Sequence, residues 1–264
     1  MRENNVRKIW AAGGAVLNGW LTLPDAFASE MMAHQGFDSC TVDMQHGPVG
    51  YQTAVSMLQA VSTTDVTPMV RVPWNEPGII GKMLDAGAYG IICPMVNTRA
   101  EAEAFVGACR YPPHGYRSHG PNRAMFYAGS DYPKESDNTV ITMAMIETTQ
   151  ALDNLEDILT VPHLDAIYVG PADLSRSLGI GPAVKFHDDP LASAMDKIIT
   201  AAKKHGIYAG SHCGSPADAL HLFGLGFQFA TVSADRAYMA ARAAEVVAEV
   251  KKSKLAEVDS SSPY

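Results

Sequence analysis

The stretch VITMAMIETTQALDNLEDILTVPHLDAIYVGPAD, residues 140–173, decides the fold. Two short apolar runs, 140–146 and 166–170, are rich in β-branched or aromatic residues and bounded by polar or turn-forming sequence, as buried strands are. Between them Leu152, Leu155, Ile158 and Leu159 recur at helical spacing behind Thr148, whose hydroxyl suits a helix N-cap. Strand, helix and strand make a βαβ unit, so the two strands should be parallel with a right-handed crossover. The first run delivers Glu147 and the second, through Gly170, Pro171 and Ala172, delivers Asp173. If the strands are neighbours, their ends lie about 5 Å apart. Two acids there repel unless a cation sits between them, and a hard divalent ion needs only one or two carboxylates, with water and substrate completing its shell. The plainer alternative is that Glu147 and Asp173 merely cap the helices that follow. Spacing alone leaves both readings open.

Working outward, similar strand-like runs occupy 15–23, 39–44, 67–72 and 90–96 before this unit, and 208–213 and 229–233 after it. Helical patterns fall at 24–35, 51–61, 78–88, 98–109, 148–159, 188–206, 215–222 and 235–253. Thr98 with Glu101 forms a capping box, and Ser215 followed by Pro216 starts another helix. Eight strands alternating with eight helices in about 250 residues predict an α/β fold of the (β/α)₈ TIM-barrel type. An open doubly wound sheet is the alternative, but no GxGxxG follows the first strand. Residues 110–138, rich in Pro, Gly, Tyr and His without periodicity, are expected to form a long loop that covers a site or is disordered. One domain is expected over 1–258, with a disordered tail at 259–264.

The composition excludes several function classes. With 47% hydrophobic and 18% charged residues in 264, a soluble globular protein with a sizeable core is expected. A net charge of -8 argues against nucleic acid, which demands concentrated Lys and Arg. No apolar run approaches the roughly 20 residues that span a bilayer, so no membrane association is expected. The polar start, MRENNVRK, is no secretory signal. Cysteines 40, 93, 109 and 213 form no CxxC pair, and Cys40 and Cys93 read as buried thiols of a cytoplasmic protein.

In such barrels the active site lies at the C-terminal ends of the strands. The polar residues there are Asn18, Trp20, Asp43, His46, Arg71, Glu147, Asp173 and His212. His46 reads either as a solvated loop histidine or as an acid/base. Arg71, deep in a strand, needs an anionic partner, either Asp43 or a bound carboxylate. Asp85, in the helical MLDAGA, reads as a surface residue, and His212 either faces the pocket or packs beneath a helix. No lysine falls inside a strand, so Schiff-base chemistry is not expected and carbonyl activation falls to a metal.

Six collinear segments carry a family resemblance: VDMQHGP (42–48), VRVPWN (70–75), MLDAGAYGIICPMV (83–96), CRYPPHGYRS (109–118), MIET (145–148) and GPADLS (170–175). From about Trp10 to Val250 the chain resembles the HpcH/HpaI aldolases, the metal-dependent class II pyruvate aldolases. The resemblance implies a TIM barrel assembled as a hexamer, a trimer of dimers, with exchanged C-terminal helices. It implies a divalent cation (Mg²⁺, Mn²⁺ or Co²⁺) on Glu147 and Asp173, chelated by a 2-oxo acid, pyruvate or hydroxypyruvate, that is joined to or released from an aldehyde. Gly170, Pro171, Ala172 and Asp173 would bind the substrate, with Trp20 and Asp43 lining the pocket. His46 would be the acid/base, Asp85 its partner, and Arg71 the stabiliser of the enolate. One departure is Met145, where many relatives carry a substrate-binding glutamine. The 110–138 segment, with Arg117, His119 and Arg123, would help choose the acceptor aldehyde. Two other functions remain open: a CoA-ester lyase of the citramalyl- or malyl-CoA type, which needs a basic groove, and a non-catalytic 2-oxo acid binding protein.

Overall fold

The eight strand-like runs form β1 (Val16–Leu21), β2 (Ser39–Asp43), β3 (Thr67–Arg71), β4 (Gly90–Cys93), β5 (Ile141–Ile146), β6 (Ala166–Val169), β7 (Tyr208–Cys213) and β8 (Phe229–Val232). Each pairs in parallel with the next, and β8 returns to β1, so the sheet closes into a barrel. The structure, a computed structural model, describes residues 1–181 and 183–260, with side chains as far as 252. The helices are α1 (Asn5–Ala11), α2 (Ala26–Ala33), α3 (Tyr51–Val61), α4 (Pro77–Asp85), α5 (Arg99–Cys109), α6 (Asn122–Ala128) and α7 (Tyr132–Thr139). They continue as α8 (Thr149–Asp153), α9 (Leu155–Leu159), α10 (Pro171–Ser177), α11 (Leu191–His205), α12 (Pro216–Leu225) and α13 (Asp235–Ser260). The expected (β/α)₈ TIM barrel is therefore the fold. No described helix is long and apolar enough to cross a membrane.

Helix starts follow the caps visible in sequence. Thr98 and Glu101 exchange both capping-box bonds at the head of α5, and Ser215 does the same with Asp218 ahead of α12. Elsewhere the periodicity misleads. The helix expected over 148–159 breaks into α8 and α9 at Asn154, whose side-chain amide donates to the Asn97 carbonyl at 2.8 Å. The polar start contains α1, capped by Asn4 and too short to show a clear apolar stripe. The expected loop 110–138 holds α6 and α7, tied down by long-range contacts that no local pattern reveals: Arg123 donates to the Ala86 carbonyl and, at 2.7 Å, to Ser62 Oγ. Of the tail expected at 259–264, residues 261–264 lie outside the described residues, and α13 continues to Ser260.

Strands put alternate side chains on opposite faces, and here the two faces make two cores. Outward residues pack with the helices in a large apolar layer. Inward residues fill the barrel: Val16 and Trp20, Met69, Ile92, Ile141, Met143 and Met145, Tyr168 and Phe229. One polar layer interrupts them. Asn18 donates to Thr231 Oγ1 at 2.9 Å and accepts from Ser39 at 2.8 Å and Thr41 at 3.0 Å, so this fully buried amide is satisfied inside the barrel. Asn18 thus lies below the mouth, not at it. Trp10 of α1 closes the opposite end, stacking on Tyr208 at 4.2 Å and donating its indole N–H to the Gln228 carbonyl at 2.9 Å.

Because Trp10 is 3% exposed, Trp10→Ala leaves a large void at the barrel floor. We expect a loss of about 3 kcal/mol or more in unfolding free energy, read as a lower denaturant midpoint at unchanged slope. A midpoint matching the wild type would show that α1 does not seal the barrel.

Candidate active site

The inward rows of the strands continue beyond the apolar interior, and the next members are the polar residues of the mouth. On β2 the row 39, 41 ends in Asp43, and on β3 the residue after Met69 in this row is Arg71. Asp43 pairs in register with Arg71, which donates from Nε to Oδ1 at 2.9 Å and from Nη2 to Oδ2 at 2.6 Å. The indole N–H of Trp20 donates to Oδ2 at 3.1 Å, and the backbone N–H groups of Gln45 and His46 donate to Oδ1. The Arg71 guanidinium also lies 4.8 Å over the Trp20 ring. Burial alone would raise the Asp43 carboxyl, but the bonds and charge of Arg71, with His46 and Trp20, hold it below the ordinary carboxylate range. Of the two partners open to Arg71, the structure uses Asp43. Gly47 completes the turn that carries His46, since a Cβ there would come within 2.4 Å of the Asp43 carbonyl oxygen.

On β5 the inward row 141, 143, 145 extends to Glu147, which is 3% exposed. Its Oε1 accepts the backbone N–H of Met95 at 2.7 Å. Met95, just past β4, holds φ at 55°, a left-handed conformation costly for a side chain other than glycine's. The other oxygen, Oε2, lies over Gly170, where a Cβ would sit 2.4 Å from it. Ile146 and Val169 are paired in the β5–β6 ladder, so the two acids do emerge from neighbouring strands. Neither acid caps a helix: Thr148 caps α8, and α10 has Gly170 at its N-cap with no side-chain bond. Burial, and then the negative charge of Asp173, push the Glu147 carboxyl up against the opposing Met95 N–H and Arg71. Asp173 makes no hydrogen bond or ion pair among the described residues. Among the described residues no third His, Cys, Asp or Glu joins the pair there. Two oxygen ligands with free lone pairs and no lysine or arginine claiming them fit a hard divalent cation that keeps water and substrate in its shell.

Trp20, Asp43, His46, Arg71, Gly170, Pro171, Ala172 and Asp173 all line one cavity of about 480 Å³ at the C-terminal mouth. Met145 lines it too, and His212 faces it instead of packing under a helix. The His212 ring sits edge-on to Trp20 at 5.5 Å, with Nδ1 3.4 Å from the Tyr168 hydroxyl. Burial and the charge of Arg71 push its pKa down to about 4, against the pull of Asp43. The sequence reading missed Tyr168, Val184, Ser233 and Arg236 as lining residues, although Tyr168 follows from the inward row of β6. It also missed Asp235, whose carboxylate accepts from Thr22 N and Oγ1, Leu23 N and Arg236 N, tying β1 to the start of α13. Among the described residues the arginines on the cavity wall are Arg71 and Arg236, and no lysine lines it, which is little for the nucleotide phosphates of a CoA ester.

Asp85 does not meet His46 within the chain. It ends α4, and helices of such a barrel carry the chain back from the mouth, so its carboxylate lies elsewhere, 2.7 Å from Arg117 Nη2. Burial raises the Asp85 carboxyl, partly offset by Arg117. Both line a separate cavity with Lys82 and Tyr116. The 110–138 segment joins α5 to β5 at the end remote from the mouth, and none of its residues lines the mouth cavity of its own chain. Arg117 is instead buried against Tyr111 and Tyr132, His119 is exposed, and Arg123 braces α4.

Residues 18–241 match the family model HpcH/HpaI aldolase/citrate lyase. The chain is 40% identical over 248 residues to a hydroxypyruvate/pyruvate aldolase of Rhizorhabdus wittichii, covering 94% of this chain and 99% of that one. It is 35% identical over 237 residues to a 5-keto-4-deoxy-D-glucarate aldolase of Shigella dysenteriae, covering 88% and 91%. The crystal structure of an HpcH/HpaI aldolase/citrate lyase family protein from Burkholderia cenocepacia superposes with a TM-score of 0.87 at 29% identity, covering 94% and 99%.

The Asp43–Arg71 pair gives a stability prediction with a defined sign. A carboxyl held below its ordinary pKa stabilises the fold above that ordinary value, and the contribution is lost as pH falls through the native value. Asp43→Asn should therefore cost about 3 kcal/mol at pH 7, where Arg71 is left buried without its counter-charge, and progressively less in acid below pH 4. Urea unfolding at both pH values reads this, and an equal deficit at each would contradict it.

Proposed function

The chain belongs to the HpcH/HpaI aldolase/citrate lyase family, and from that membership we propose that it is a metal-dependent aldolase. It makes or cleaves the carbon–carbon bond between a pyruvate-type 2-oxo acid, pyruvate or hydroxypyruvate, and an aldehyde. The observation that carries this reading is the unpaired acid pair at the ends of β5 and β6, beside the cavity that holds Arg71 and His46. Glu147 and Asp173 would hold Mg²⁺, Mn²⁺ or Co²⁺, for which all-oxygen ligation is suited. When bound, such an ion polarises the 2-oxo group as a Lewis acid.

The chain's own groups do the rest. The backbone N–H groups of Ala172 and Asp173, in the first turn of α10 behind Gly170 and Pro171, face the donor's carboxylate. Arg71, fixed by two bonds to Asp43, presents an oriented positive charge where negative charge develops on the keto oxygen. His46 takes the proton of the 4-hydroxyl on cleavage and returns it on condensation. Trp20, pinned through its N–H, is a rigid wall of the pocket. Met145 offers no hydrogen bond to the substrate, so orientation of the donor rests on the neighbouring groups.

Asp85 can support His46 only if a neighbouring copy presents it, and we propose a homo-hexamer with exchanged C-terminal helices. The apolar exposure of Met239, Val246, Val247 and Val250 on α13 supports such an exchange. Four cysteines, all free and buried, support a cytoplasmic protein. The same reading takes residues 1–258 as one domain.

Two outcomes follow. Glu147→Gln should abolish pyruvate release from a 4-hydroxy-2-oxo acid while the barrel stays folded, and chelator treatment of the wild type should do the same reversibly. Full turnover after chelation rules the mechanism out. His46→Ala should lose on the order of a hundredfold in kcat with Mn²⁺ affinity retained in calorimetry. Wild-type rates in that variant would take His46 out of the acid/base role.

A further inference from the structure

Of the two arginines on the wall of the mouth cavity, one is already spent. Arg71 is doubly bonded to Asp43, and its charge is matched there. Arg236 lies in the first turn of α13 and makes no side-chain hydrogen bond or ion pair among the described residues. The remaining carboxylates at the mouth are Asp173 on the cavity wall and Glu147 beside it, which the proposed reading assigns to a divalent cation. With those pairs cancelled, Arg236 is the permanent charge left without a counter-charge among the described lining residues.

The segment that carries Arg236 is held in place. Ser233 sits at φ 57°, and its N–H donates to the Cys213 carbonyl at 2.9 Å. Asp235 is anchored by both N–H groups and the hydroxyl that it accepts from Thr22 and Leu23, and it also accepts the Arg236 backbone N–H at 2.7 Å. The Arg236 backbone therefore projects from a fixed turn, which reduces the ordering cost of binding to the side chain itself. It stands just past β8, two strands round from β6 and three from β5. A group bound by Arg236 is thus not the donor's carboxylate, which the same reading seats at the head of α10.

We propose that Arg236 is a specificity-determining residue that binds an anionic group, carboxylate or phosphate, at the far end of the acceptor aldehyde. This inference rests on the aldolase reading above. A guanidinium meets either anion with two parallel N–H bonds, whereas a neutral hydroxyl cannot exploit its charge. The enzyme should therefore prefer an anionic acceptor to a neutral one of the same length.

The test uses full-length, Mn²⁺-loaded enzyme with saturating pyruvate and two matched acceptor pairs. One pair is succinic semialdehyde and 4-hydroxybutanal; the other is D-glyceraldehyde 3-phosphate and D-glyceraldehyde. The quantity read is the ratio of kcat/KM for the anionic member to that for the neutral one. We expect the wild type to favour the anion by about tenfold or more in at least one pair, which identifies carboxylate or phosphate as the group. Arg236→Gln should bring that ratio close to one, and Arg236→Lys should leave it between the two. A wild-type ratio near one in both pairs, or a ratio that Arg236→Gln leaves within twofold of wild type, overturns the inference. A rise in the KM for pyruvate shared by all acceptors also overturns it, since Arg236 would then serve the donor. If no aldehyde is turned over by the wild type, the aldolase reading itself fails and this inference falls with it.

Discussion

Five donated hydrogen bonds converge on the carboxylate of Asp43, and the arrangement of the mouth depends on them. They come from two strands and one turn. Trp20 arrives from β1, Arg71 from β3, and the N–H groups of Gln45 and His46 from the turn after β2. A buried carboxylate with so many donors stays ionised, and an ionised carboxylate in turn balances the charge of the buried guanidinium. One short side chain thereby orients a wall of the pocket, its fixed positive charge and the loop that bears the histidine. The cost of burying two charges is offset because each lone pair of the acid has a donor and the arginine fork is met bidentately.

The opposite side of the mouth is built on the reverse principle. Glu147 is nearly as buried as Asp43 but has one backbone donor and a neighbouring negative charge. Its environment opposes ionisation, and the strained backbone of Met95 supplies the single bond that holds it in place. Gly170 suits this place for a plain reason of space, since a Cβ there would crowd Glu147 Oε2 at 2.4 Å and force the carboxylate to shift. A site with surplus negative charge facing a site with balanced charge gives the cavity a direction. The first is suited to a cation and the second to a substrate oxygen that becomes negative.

The rest of the molecule separates scaffold from site by chain direction. Every parallel strand runs toward the mouth, and the helix that follows a strand carries the chain back from it. Residues that end strands or open helices therefore reach the mouth: Asp173 and Arg236 line the cavity, and Glu147 lies beside it. Residues that end helices do not, and Asp85 with the α5–β5 excursion around Arg117 belongs to that remote half of each chain. The ion pair of Arg110 with Asp165, 2.9 Å across, also stands at that end and braces the barrel floor.

Most of the fold could be read from the sequence because it depends on local periodicity. Eight β-rich runs separated by helical spacing are enough to specify a parallel barrel, and the two-residue repeat of a strand places Asp43, Arg71, Glu147 and His212 at the mouth. Capping residues marked the starts of α5, α8 and α12 for the same local reason. The short helices α1, α6, α7 and α10 did not register, since each is held by contacts distant in sequence. Partner choice was only partly legible: the sequence offered Asp43 as one of two partners for Arg71, but not that Asp85 takes Arg117 within its own chain or that the Arg236 side chain takes no partner among the described residues. Periodicity dictates which face a side chain occupies, but which groups touch depends on where closure of the barrel brings strands and loops separated by tens to hundreds of residues.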